Sequence, residues 1–113
     1  MPTPTRDRSS IYASRLFSRR ALDQRARLIA RFATGERVVV HARTCDISHS
    51  GAGLTLTREL PAGTEVTLWL RLPGNGNLCL QAVIARRAGF HAGIRFVETS
   101  AEQRLLLAEL CSA

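Results

Sequence analysis

From Arg25 onward this chain is a run of short alternating segments cut by turn residues, and that pattern leaves little room for anything but an antiparallel β fold. Glu65–Leu72 shows it best: Val66, Leu68, Leu70 and Leu72 fall on one face, Thr67, Trp69 and Arg71 on the other. Arg25–Phe32 alternates in the same way, with Ala26, Leu28, Ala30 and Phe32 on its apolar side. Arg37–Ile47 carries the β-branched run Val38-Val39-Val40. Leu54–Thr57, Leu78–Arg87 and His91–Val97 complete six predicted strands. Between them stand Thr34-Gly35-Glu36, Asp46–Gly53, Leu60-Pro61-Ala62-Gly63, the hairpin signal Pro73–Asn77, and Ala88-Gly89. Six strands in so short a chain predict a closed or nearly closed antiparallel barrel, since two bare edges would invite association.

The last segment breaks the period. Ser100 stands three residues before Gln103, the pattern of a capping box. Leu105, Leu106 and Leu110 then form one apolar stripe of a helix packed on the barrel. The expectation is an all-β domain of six strands with one C-terminal helix, over residues 25–113. With 113 residues there is room for one core.

Residues 1–24 read as a flexible, arginine-rich arm, with a short helical turn allowed around Ile11–Leu22. All 16 basic residues of the chain are arginine. Eight lie in residues 1–31 against Asp7 and Asp23, a net of +6, whereas residues 32–113 carry a net of +1. Charge gathered at one end points to an anionic partner there, and the planar guanidinium fork suits phosphate and guanine. The alternative is a basic tail that only aids solubility.

Cys45, Cys79 and Cys111 form no CxxC pair, and His41, His49 and His91 are scattered singly, so no metal-ligand spacing arises. Cys45 and Cys79 are expected as small core or sheet residues. No run of 18 or more apolar residues and no apolar signal-peptide core occurs, and the expected location is the cytoplasm. No GxSxG elbow, HExxH or paired carboxylates stand out, so the chain is not expected to be an enzyme, although the residues leave a cysteine–histidine nucleophile open.

Two short stretches carry the functional signal. Asp46-Ile47-Ser48-His49-Ser50-Gly51 places a carboxylate, a hydroxyl and a glycine at fixed offsets after the valine-rich strand. Upstream, Arg15-Leu16-Phe17-Ser18-Arg19 sets two arginines four residues apart, with Arg20 next to them. Together they resemble the signature of the PilZ family, written RxxxR and [D/N]xSxxG. Gly93-Ile94-Arg95-Phe96 followed by a helix is similar to the closing strand and C-terminal helix of that family, so the likeness spans residues 15–110.

The resemblance implies a six-stranded PilZ-like barrel that binds cyclic di-GMP and uses no cofactor. Cyclic di-GMP offers two phosphates and two guanines. Arginine meets both phosphate and the guanine O6/N7 edge with paired N–H groups, and a carboxylate accepts from guanine N1–H and N2–H₂. By resemblance, Arg15, Arg19 and Arg20 would be the cationic partners and Asp46 the acceptor. Ser48 would add a hydroxyl, and Gly51 a close backbone approach. The arm would clamp the ligand against Asp46–Gly51. Asp46, Ser48 and Gly51 can instead serve only their own turn, and the arginine register can shift to Arg20 and Arg25. Arg25, Arg27 and Arg31 are expected to face solvent from the strand, and His49 to sit in a solvated loop. Trp69 is expected under a helix or loop, or as a stacking surface.

As a single-domain receptor, the chain is expected to relay the signal through an unknown downstream protein or a ligand-dependent homodimer, without membrane insertion. A ligand-independent PilZ-type adaptor is the first rival. A nucleic-acid-binding barrel ranks lower, because aromatic residues make up only 5% of the chain.

Overall fold

The computed structural model describes residues 19–72 and 76–112. Arg15, most of the predicted arm and residues 73–75 of the predicted hairpin turn lie outside the described residues. Six strands follow in order: β1 Arg20–Arg31, β2 Arg37–Ile47, β3 Gly51–Leu56, β4 Glu65–Arg71, β5 Asn77–Ala88 and β6 His91–Phe96. One helix, α1, spans Ala101–Ser112. The strands close into a barrel in the order β1-β2-β3-β6-β5-β4, with every pairing antiparallel.

The inward faces are those the alternation marks. Leu28, Val40, Val66, Leu68, Leu70, Leu80 and Ile84 are fully buried, and Ala26, Ala30 and Ala42 fill the narrower gaps between them. The boundaries differ by more than one residue at two strands. β1 begins at Arg20, five residues before the Arg25 start that the pattern gives, because an extra residue between Ala21 and Gln24 breaks its period against β2. β3 begins at Gly51, so Gly51-Ala52-Gly53 is strand and not turn.

Helix α1 opens on the predicted capping box. The Ser100 N–H donates to Gln103 Oε1 at 2.8 Å, and the Gln103 N–H donates to Ser100 Oγ at 3.1 Å. The buried stripe shares only Leu110 with the predicted one. Leu105 is exposed and Leu106 half-buried, while Leu107 and Leu110 are buried. Gln103 sets this rotation by donating from Nε2 to the Cys79 carbonyl at 2.7 Å, which brings the residues at 103, 107 and 110 to one face. At the other end, Arg20 donates to the Leu110 carbonyl at 2.5 Å, placing a cation at the helix C-terminus. Ser100→Ala should cost about 1 kcal/mol of stability, read from the midpoint of urea unfolding, with the barrel otherwise unchanged.

All three cysteines are free thiols. Cys45 is exposed on the outer face of the sheet, so it is a surface sheet residue and not part of the core. Burial pushes the Cys79 and Cys111 thiols up, and Arg20 only partly offsets this at Cys111. No helix among the described residues is long and apolar enough to cross a membrane.

Candidate functional site

Strict alternation would bury Asp46. Thr44 points into the barrel, so Cys45 should point out and Asp46 in. The register prevents this. Thr44 pairs with Leu54 and Asp46 with Gly53, so Cys45 is an extra residue in β2. Cys45 and Asp46 both reach the outer face, and Ile47 returns to the core. The same device recurs on the far side. Ile84 pairs with Ile94 and Arg86 with Gly93, which leaves Ala85 as the extra residue of β5 and turns Arg86 outward.

The two bulges face each other across the sheet. Asp46 pairs with Gly53, Gly53 with Gly93, and Gly93 with Arg86, so four strands contribute one transverse row. Its centre carries no side chains. Its ends are a carboxylate and a guanidinium, roughly 14 Å apart at three strand spacings. The Asp46 carboxylate folds inward over Gly53, accepting its N–H at Oδ1 at 3.0 Å. A Cβ on Gly53 would lie 2.9 Å from that oxygen. Arg86 lies over Gly93 in the same way, with Nε 3.6 Å from where a Cβ would stand.

Arg19 closes the site from the leader. Its Nη1 donates to Asp46 Oδ1 at 2.6 Å, and both side chains keep substantial access to water, at 44% and 36%. A cleft of about 450 Å³ runs over this row, lined by Arg19, Asp46, Gly53, Arg86, His91 and Gly93 among others. Arg87 borders it but is engaged by Glu59 at 2.9 Å. No ion pair among the described residues engages Arg86.

The sequence profile of the PilZ domain matches residues 14–113. The chain belongs to the PilZ family. Among solved structures, the PilZ domain of CeSA from a cellulose-synthesizing bacterium superposes with a TM-score of 0.66 at 22% identity, covering 83% of this chain and 94% of that one. The PilZ domain of YcgR from Escherichia coli, solved with c-di-GMP, superposes with a TM-score of 0.67 at 16% identity, covering 85% and 87%. No curated protein matches the chain.

Within this PilZ domain, the expected site residues take different places. Arg19 and Asp46 meet. Arg15 lies outside the described residues. Arg20 points to the helix end and not to the cleft. Ser48 is buried and bonded within its own turn: its hydroxyl meets Ser50 Oγ at 3.2 Å and donates to the Gly51 carbonyl at 3.3 Å, while the Ser50 N–H donates to it at 3.3 Å. Gly51 is required by packing, because a Cβ there would overlap the Ile94 carbonyl oxygen of β6. Its role is close approach of two strands. Sequence reasoning missed Gly53, Gly93 and Arg86 as one group. The signal available was the placement of two glycines and an arginine at positions where the alternation fails.

Proposed function

We propose that this PilZ domain is a cyclic di-GMP receptor that passes the signal to another protein by a change of surface. The observation that carries this reading is the row Asp46–Gly53–Gly93–Arg86 with Arg19 held beside it. Two adjacent glycines leave a flat floor on which a purine can lie without meeting a Cβ. Asp46 offers the carboxylate that guanine N1–H and N2–H₂ require, while Arg19 and Arg86 offer forked donors for the O6/N7 edge or a phosphate. The Arg19–Asp46 ion pair is exposed and worth little by itself, so a ligand can open it at small cost. Arg15, four residues before Arg19, would supply a further guanidinium from the leader. Ser48 and Gly51 contribute by holding the bend that presents Asp46, and Arg20 by anchoring the base of the leader to α1.

The test is a calorimetric titration of the full chain with cyclic di-GMP, with GTP as the control. Saturable heat at micromolar ligand, absent with GTP, is the expected result. No heat with cyclic di-GMP up to about 1 mM would assign the domain to the ligand-independent adaptors.

A further inference from the structure

On the opposite side of the barrel, the outer face of β2, β1 and β4 is built as a second contact surface. Cross-strand register stacks its outward residues in rows. Arg43 pairs with Arg25, next to the row in which His41 pairs with Arg27 and Arg27 with Trp69. In the following row Val39 pairs with Ile29. Val39 is 55% exposed and Trp69 40%, and Ile29 is half-buried between them. Arg25, Arg27, Arg37 and Arg71 surround this apolar centre, and no ion pair among the described residues engages any of them. A groove of about 820 Å³ runs past Arg25, Arg27, Trp69 and Arg71.

We infer that this face docks an acidic segment of a protein partner, with an apolar side chain of that segment seated on Val39, Ile29 and Trp69. An apolar centre that includes a tryptophan, set in an arginine rim, has the anatomy of a protein interface. Unpaired guanidinium groups call for carboxylates, which they bind in pairs. A second copy of this chain does not fit, because a two-fold contact would set arginines against arginines. A single-stranded nucleic acid fits less well. It has no counterpart for Val39 and Ile29, and one tryptophan gives a single stacking position. The inference rests on the receptor reading only for the partner's role in signalling; the docking itself stands on this face alone.

Trp69 is the only tryptophan of the chain, so its emission reports on this surface. The full chain is titrated with a synthetic peptide of repeated Glu-Glu-Leu triplets, with the same peptide carrying Ser for Leu, and with an oligothymidylate. The Glu-Glu-Leu peptide should shift Trp69 emission saturably and more tightly than the other two. Arg27→Glu or Arg71→Glu should weaken it by about tenfold or more, with circular dichroism and the cyclic di-GMP isotherm unchanged. Tighter binding of the oligothymidylate would assign the face to nucleic acid and overturn the proposal. Equal binding of the Leu and Ser peptides, or no response up to about 1 mM peptide, would overturn it as well. Loss of the cyclic di-GMP isotherm in the unaltered protein would sink the receptor reading and leave the peptide result standing.

Discussion

Asp46→Ala is expected to weaken cyclic di-GMP binding by roughly 30- to 1000-fold, or about 2–4 kcal/mol, while unfolding stability falls by no more than about 1–2 kcal/mol. The two effects separate because Asp46 has two kinds of partner. In the free protein it accepts one N–H from Gly53 and pairs with Arg19 in a contact open to water. An exposed ion pair contributes at most about 1 kcal/mol, and one backbone hydrogen bond about as much. In the complex the same carboxylate would face the guanine N1–H and N2–H₂ donors away from water, and its removal leaves those donors unpaired. Arg19→Ala should follow the same direction with an even smaller effect on stability. Calorimetry for affinity and urea unfolding for stability give both numbers on one preparation. Unaltered affinity in both variants would remove the Arg19–Asp46 pair from the binding reading.

The second large effect concerns two glycines that lie close together in the sequence. Gly51→Ala should destabilise the fold by more than about 3 kcal/mol, lowering the melting temperature by roughly 10 °C or more. The added methyl would overlap the Ile94 carbonyl oxygen, and that oxygen belongs to a backbone paired on both sides within a closed barrel. It has nowhere to move. Gly53→Ala meets a softer obstacle. Its Cβ would stand 2.9 Å from Asp46 Oδ1, a side-chain atom that can swing away. The fold should lose about 1 kcal/mol, but the carboxylate leaves its place over the floor and ligand affinity should drop by about tenfold or more. Differential scanning calorimetry and ligand titration of the two variants check this inversion. If Gly51→Ala melts with the wild type, the close approach of β3 to β6 is not what demands glycine there.

The fold was legible wherever alternation was regular. β2 is read from sequence with its observed ends, and the inward row of β4 at Val66, Leu68 and Leu70 is the one its pattern predicts. The readings fail at the bulges, where period two breaks by construction. β1 loses its first residues to the irregularity between Ala21 and Gln24, and Gly51-Ala52-Gly53 looks like a turn because its glycines answer a packing demand that only the neighbouring strand reveals. The helix face was misjudged because three consecutive leucines fix no rotation; the Gln103 contact with the Cys79 carbonyl does.

At the site, the Arg19–Asp46 proximity is written in two motifs 27 residues apart. The placement of Asp46 and Arg86 at the two ends of one row was hidden, since it depends on the register of four strands and on two inserted residues, Cys45 and Ala85. Ser48 and Gly51 belong to the same motif as Asp46, yet Ser48 is bonded within its own turn and Gly51 lies against the backbone of β6. A short motif can therefore mix one residue aimed at a ligand with others that hold it in position.

Because β1 pairs with both β2 and β4, the described strands close on themselves and each has a neighbouring strand on either side. A partner strand has only overhanging ends to pair with, such as Arg20–Arg25 of β1 beyond β4. Its broad outer faces are read mainly through side chains, so charge reversal there can rewire its associations while leaving the barrel as it is.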